Sequence, residues 1–143
     1  MQAKECLDLD ENEYHKLEEF RYQIRRFLNF SEIAARKLDL EPQQHQALLT
    51  LKGMPSGMLP TVGRIAERLL LKHNSAVGLV DRLQSLGLVT RGVNSEDARQ
   101  VLVLLTAKGE QVLHELTVAH RAELEDAGPK LAAALRAIKG KKV

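Results

Sequence analysis

The sequence predicts a mainly α-helical protein that carries one small β-hairpin. Three observations predict this class. Apolar residues recur at helical spacing over most of the 143 residues, and near residue 88 their period changes from 3.6 to 2. The chain has only three Phe, two Tyr and no Trp. Aliphatic stripes on helices must therefore supply most of the core.

The first predicted element is a long helix over residues 13–38. No Gly or Pro interrupts this stretch, and a helix of its length cannot be covered by one small domain. Its outer apolar residues therefore favour contact with a second copy of the chain. The residues at three- and four-residue steps are Tyr14, Leu17, Phe20, Ile24, Phe27, Leu28 and Ile33.

Two shorter helices follow. Pro42 is favoured at a first helical position, which predicts a helix from Pro42 to Lys52. Residues 53–60 contain two Gly and two Pro and predict a connector. Thr61 is the expected N-cap of a short helix over residues 62–70.

A tight turn and a further helix come next. The helix is predicted from about Asn74 to Leu86, with Gly87 ending it. Its apolar stripe has helical spacing and consists of Ala76, Leu79, Val80, Leu83 and Leu86.

The change of period predicts a hairpin. Residues 88–91 and 99–105 are the two strands, joined by a polar loop over residues 94–98. Thr106 is the expected cap of the next helix, which is predicted to run to about Ala127. A break at Gly128-Pro129 and a last helix over residues 130–138 complete the prediction.

Two short helices joined by a tight turn and followed by a hairpin predict a winged helix-turn-helix. The major groove of DNA is about 12 Å wide and admits one helix. Residues 73–85 suit it, because they are apolar on one face and polar on the other. Asn74 can pair with adenine, Ser75 flanks it, and Val77 can touch a thymine methyl.

Other residues near this helix suit the DNA backbone. Lys72, His73 and Arg82 can reach phosphates, and Gly78 lets the main chain approach closely. Asp81 has the wrong charge for DNA, and we expect it to pair with Arg82 or Arg91. An ordinary surface helix of a bundle is the alternative for residues 73–85 taken alone. The adjoining hairpin argues against it.

Residues 60–109 resemble the DNA-binding core of the MarR family of transcriptional regulators. The most specific segment is residues 96–109, Glu-Asp-Ala-Arg-Gln-Val-Leu-Val-Leu-Leu-Thr-Ala-Lys-Gly, which resembles the family's wing, second strand and helix start. Val-Asp-Arg-Leu at residues 80–83 and Leu-Gly-Leu-Val-Thr-Arg at residues 86–91 also fit. With Leu40-Glu41-Pro42, the matches span about residues 40–110.

The resemblance implies a homodimer that binds double-stranded DNA. Residues 13–38 and 110–138 would be dimerisation helices within a single domain over 1–143. Residues 40–109 would form the winged lobe, with its wing at 89–105. Arg99 would enter the minor groove, positioned by Asp97; the alternative is a wing-internal ion pair without DNA contact. The expected DNA-binding residues are Thr61, Lys72, His73, Asn74, Ser75, Val77, Gly78, Arg82, Arg91, Asp97 and Arg99.

Three residues depart from the family pattern. Ala98 stands where many relatives have another Arg, and Gly78 where a polar or basic recognition residue is common. Leu70 replaces the usual glycine of the turn. The first two changes predict fewer base contacts than usual.

Other classes of function find little support. The chain has no Gly-rich phosphate loop, His-Glu-x-x-His motif or Gly-x-Ser-x-Gly elbow, so we expect neither an enzyme nor a cofactor. The five His residues lack metal-binding spacing, and the single cysteine, Cys6, lies in an acidic stretch that blunts its reactivity. Without a signal peptide or an apolar run of membrane length, a cytoplasmic location is expected.

The sequence thus predicts a sequence-specific transcriptional regulator, a repressor that responds to a small-molecule effector. The alternative is a winged-helix module that binds proteins and has lost DNA binding, for which Gly78 and Ala98 are the best support.

Overall fold

The computed structural model of the protein describes residues 9–139. The elements are α1 (Glu11–Lys37), α2 (Pro42–Gly53), α3 (Val62–Leu69), α4 (His73–Ser85), β1 (Val89–Val93), β2 (Val101–Leu105) and α5 (Ala107–Lys139). The predicted fold class, mainly α with one hairpin, is confirmed. The chain forms two compact units. The first combines the chain before Glu32 with the chain after Ala119, and the second, here the winged unit, is Glu32–Ala119. Cys6 lies outside the described residues.

The predicted break at Gly128-Pro129 is wrong, because α5 continues through both residues to Lys139. Pro normally displaces the residue before it from helical geometry by a clash with that residue's Cβ. Gly128 has no Cβ, so the clash is relieved. The Lys130 ammonium also bonds the Asp126 carboxylate at 3.3 Å, joining the turns on either side of Pro129.

The helices α1, α3 and α4 end in the same backbone motif. After each helix one residue takes a left-handed conformation: Asp39 at φ 60°, Leu70 at φ 56° and Gly87 at φ 72°. The next residue is a leucine whose amide donates five residues back, to Ala35, Ala66 and Leu83 respectively. This is the Schellman pattern, in which the residue after the left-handed one packs back on the helix. The three leucines are Leu40, Leu71 and Leu88.

The core of the winged unit gathers side chains from most of its elements. Leu48 of α2, Ile65 of α3, Leu79 and Leu83 of α4 and Val103 of β2 are each no more than 1 % exposed. Burying a side chain of this size stabilises the fold by about 1.5–3 kcal/mol. This shared core fixes α4 relative to the hairpin.

The hairpin is antiparallel, with Val89 opposite Leu105 and Val93 opposite Val101. The Val103 amide donates to the Pro60 carbonyl at 2.7 Å, which ties β2 to the connector before α3. The second strand begins at Val101 rather than at the predicted residue 99. Residues 97–100 form a turn instead, closed by the Gln100 amide bonding the Asp97 carbonyl at 3.0 Å.

The start of α5 is fixed against the end of α4. The Thr106 hydroxyl donates to the Gly87 carbonyl at 2.6 Å and accepts from the Gly109 amide at 3.1 Å, so Thr106 caps α5 as predicted. The Thr106 amide donates to the Leu88 carbonyl at 3.1 Å. A Cβ on Gly109 would overlap that same carbonyl oxygen and lie 3.1 Å from its carbon. Only glycine lets α5 come this close.

The first unit contains an aromatic cluster around His120. The Phe27 and Phe30 rings meet the imidazole edge to face, at 5.9 and 5.3 Å between centroids. A ring nitrogen of His120 lies 2.8 Å from the Ser31 hydroxyl. Over residues 9–139, none of the helices is long and apolar enough to cross a membrane.

We expect Gly109→Ala to lower the free energy of unfolding by about 3 kcal/mol, near the upper end for overpacking, because the added methyl meets backbone that cannot rotate away. Urea unfolding followed by circular dichroism measures the change. Gly53→Ala is the matched control. A Cβ there meets nothing within 4 Å, so the change should stay within about 0.5 kcal/mol. Equal stability of the two variants would contradict the packing described.

Candidate nucleic-acid interface

The helix α4 has the two faces that the sequence predicts. Ala76, Leu79, Val80 and Leu83 are buried against the core of the winged unit. The N-terminal end of the helix is open. The preceding Lys72 and the first three helical residues, His73, Asn74 and Ser75, are exposed, while Val77 and Gly78 are half-buried. The end of α4 that would reach base edges is therefore exposed to solvent.

Thr61 caps α3, as predicted. Its hydroxyl oxygen accepts from the Arg64 amide at 3.2 Å, and the Arg64 guanidinium bonds the Glu67 carboxylate at 3.0 Å. Thr61 thus has a structural role at the helix start. Its contact with DNA stays a prediction.

The turn between α3 and α4 contains a strained residue. Leu70 lies at φ 56° and ψ 42°, a conformation that costs a residue with a Cβ about 1–2 kcal/mol. Its side chain is 91 % exposed, so no burial offsets that cost. The turn nevertheless has the geometry that glycine usually supplies, because the Leu70 and Leu71 amides bond the Glu67 and Ala66 carbonyls.

Asp81 is paired, and its partner is Arg91. The Arg91 Nη2 lies 2.7 Å from the Asp81 carboxylate, and Nη1 donates to the Gln84 side-chain oxygen. Of the two partners expected for Asp81, the structure selects the one on β1. The Arg91 guanidinium thus joins α4 to the wing and screens an acidic group on the exposed side of α4. Gln84, which shares this guanidinium, was not predicted from the sequence.

The tip of the wing presents Arg99. Its side chain is 93 % exposed, and its Nε lies 3.3 Å from the Asp97 carboxylate. The same carboxylate oxygen accepts from the Arg99 amide at 3.0 Å. Asn94 braces the loop by accepting from the Glu96 amide and donating to Gln100. Asp97 therefore orients Arg99 while leaving most of the guanidinium open to solvent.

Gly78 and Arg82 lie against each other one helical turn apart. A Cβ on Gly78 would lie 3.3 Å from Arg82 Nη1. Arg82 also lines an open groove of about 250 Å³ with Leu79 and the start of α2, where Glu41 lies. All the predicted DNA-binding residues lie within the winged unit, and their contacts with DNA stay a prediction.

Comparison with known proteins finds relatives of this unit. The model of the MarR family matches residues 38–100. Residues 38–100 of the winged unit are thus similar to the MarR family. Over 80 residues it is 35 % identical to an uncharacterised HTH-type transcriptional regulator, YfiV, of Bacillus subtilis. That match covers 56 % of this chain and 48 % of YfiV, so the chain spans about half the length of this curated relative.

Solved structures of MarR-family proteins share the fold. A MarR family protein from Bacillus stearothermophilus is 26 % identical, with a TM-score of 0.69 over 81 % of this chain and 79 % of its own. A mutant of MepR from S. aureus, bound to an oligodeoxyribonucleotide, is 22 % identical, with a TM-score of 0.64 over 78 % and 79 % of the two chains. MepR is a transcription regulator of the S. aureus multidrug efflux pump MepA.

We expect Leu70→Gly to raise the free energy of unfolding by about 0.5–1 kcal/mol, because glycine removes the left-handed strain but adds entropy to the unfolded chain. Thermal unfolding measures the change. Asp39→Gly is the matched control, since Asp39 has a similar φ but aspartate tolerates this conformation better. A gain at residue 39 equal to or larger than that at residue 70 would contradict this explanation.

Proposed function

We propose that the protein is a sequence-specific, double-stranded DNA-binding transcriptional regulator that acts as a homodimer and represses in response to a small-molecule effector. The observation that carries the proposal is a pair of exposed features in the winged unit. They are the open, polar start of α4 at residues 72–75 and a wing whose Arg99 is almost fully exposed. The DNA-bound MepR neighbour supports a shared mode of binding.

Each half of the site would bind one winged unit. The helix α4 enters the major groove, where Asn74 bonds an adenine and Val77 contacts a thymine methyl. Lys72 and His73 meet phosphates, which fix the register of the helix. Arg99 enters the adjacent minor groove, whose negative potential suits a guanidinium. Asp97 holds Arg99 in place for this contact.

The proposed homodimer is supported by the first unit. Six large apolar side chains there are 39–58 % exposed, and apolar exposure of this kind favours contact with a partner. A second copy of the chain would cover them and place two winged units on half-sites about one DNA turn apart. These side chains are Tyr14, Leu17, Tyr22, Leu28, Leu124 and Leu135.

The proposed effector would bind inside the winged unit. A cavity of about 230 Å³ lies between α2 and the first turns of α5, and its lining is mostly apolar. The Lys52 ammonium and Glu110 carboxylate form an ion pair at 3.0 Å beside it. A bound ligand between these helices would shift the balance between states with different DNA affinity. The lining residues are Leu49, Lys52, Gly53, Glu110, Leu113, His114 and Thr117.

A second candidate function is a winged-helix module that binds another protein. The wing favours it in one respect, because Val93, Val101 and Leu104 are 67 %, 45 % and 44 % exposed. Duplex DNA from upstream of the protein's own gene discriminates between the two candidates in a mobility-shift assay. Saturable binding that weakens steeply between 50 and 200 mM salt supports the regulator, because phosphate contacts release counterions. No shift at micromolar protein supports the protein-binding module.

We expect Arg99→Ala and Asn74→Ala each to weaken binding to the specific DNA by about tenfold or more, since a good base or groove contact is worth about 1–3 kcal/mol. Fluorescence anisotropy with labelled duplex measures the dissociation constants. Arg136→Ala is the control, because it removes the same charge as Arg99→Ala from α5 in the first unit. If both test variants bind as tightly as the control, the assigned surface is wrong.

A further inference from the structure

Gly78 has no side chain and therefore leaves space on the surface of α4. The Arg82 guanidinium lies beside this space. Arg82 Nη1 lies 3.3 Å from the point where a Cβ of residue 78 would be. Side chains on a helix lean towards its N-terminus, so an arginine naturally covers the turn before its own Cα. Without a side chain at residue 78, nothing stops Arg82 from lying along the helix surface.

Among the described residues, no ion pair neutralises the charge of the Arg82 guanidinium. The carboxylate of the adjacent Asp81 is held by Arg91 at 2.7 Å. Glu41 lines the same groove as Arg82. Within residues 9–139, however, no ion pair or hydrogen bond joins the Arg82 side chain to Glu41 or to any other residue. The Arg82 side chain is exposed, so its five N–H donors remain available.

The position of this guanidinium matters more than its charge. Residues 74, 78 and 82 are four apart and lie along one side of α4. By lying over Gly78, the Arg82 guanidinium moves one turn, about 5.4 Å, towards Asn74 and the end of the helix that reaches base edges. Stacked base pairs are about 3.4 Å apart, so the two side chains would meet bases one or two steps apart.

We propose that Arg82, extending through the space that Gly78 leaves, reads a guanine in the major groove close to the adenine of Asn74. Arginine donates two parallel hydrogen bonds to the O6 and N7 acceptors of guanine, a pattern that no other base offers. Arg82 is then a specificity-determining residue, and it takes the place of the side chain that residue 78 lacks. This inference rests on the proposed function and assigns Arg82 a base contact where the sequence predicted only a phosphate.

The two contacts differ in what they do to sequence preference. A phosphate contact changes affinity for every duplex by the same factor. A guanine contact changes the ratio of affinities between a duplex with guanine at one position and a duplex without it. The readout is therefore this ratio, not affinity alone.

The experiment selects binding sites for the full-length protein from a randomised duplex library. Dissociation constants are then measured for the selected site and for duplexes with each G·C pair replaced by A·T. We expect the wild-type protein to select a half-site with a guanine one or two steps from an adenine. Arg82→Ala should reduce the preference for that guanine by about tenfold to a hundredfold, and preferences at other positions should remain.

Two further variants separate base reading from charge. Gly78→Val fills the space while keeping Arg82, and valine forms helix better than glycine, so the variant should fold. It should lose the guanine preference as Arg82→Ala does. Lys72→Ala is the phosphate control and should weaken all duplexes by the same factor. Circular dichroism melting confirms that each variant is folded.

The outcomes are distinct. The proposal is overturned if Arg82→Ala weakens every duplex equally, if Gly78→Val keeps the full guanine preference, or if the wild-type half-site contains no guanine near the adenine. If the wild-type protein enriches no sequence at all, the proposed function itself fails, and this inference fails with it.

Discussion

The carbonyl group of Leu88 is the point on which the winged unit depends. It follows the turn that ends α4, immediately precedes β1, and accepts from the Thr106 amide at the start of α5. Gly109 packs so closely on this group that no Cβ fits between them. Three elements are thereby fixed at one place: the end of the helix proposed to enter DNA, the first strand of the wing, and the long C-terminal helix. This backbone contact adds to the shared core and to the Arg91 guanidinium in fixing α4 relative to the wing.

The electrostatics of the surface follow from that rigid frame. Because β1 lies beside the end of α4, Arg91 reaches both Asp81 and Gln84. Arg91 thus neutralises Asp81, the acidic residue on the exposed side of α4. Arg82 keeps a positive charge that no ion pair within residues 9–139 neutralises. On the wing, Asp97 binds Arg99 through both main chain and side chain, which limits the freedom of the arginine before any DNA contact. Ordering the side chain beforehand reduces the entropy that binding must otherwise cost.

Much of the fold could be predicted from the sequence because local signals agreed with the tertiary structure. Examples of this agreement are the apolar stripe of α4, the Thr61 and Thr106 caps, and the hairpin. The continuity of α5 could not be predicted, since Pro129 is a strong local signal and the relief of its clash with residue 128 depends on the missing Cβ of Gly128. The end of α3 at Leu70 likewise lacks the expected glycine, and its Schellman bonds depend on Leu71 packing against the core. For the site, residue types predicted the candidates, but the choice of Arg91 for Asp81 and the position of Arg82 over Gly78 needed three-dimensional geometry.

The exposed leucine in the turn has a practical consequence for spectroscopy. Leu70 carries two methyl groups that project into solvent from the middle of the helix-turn-helix motif. In a sample with labelled leucine methyls, the two Leu70 signals would be sharp. Their chemical shifts would differ from those of leucines in the buried core. They offer a native probe for following the approach of a binding partner to this face, with no added tag and no engineered substitution.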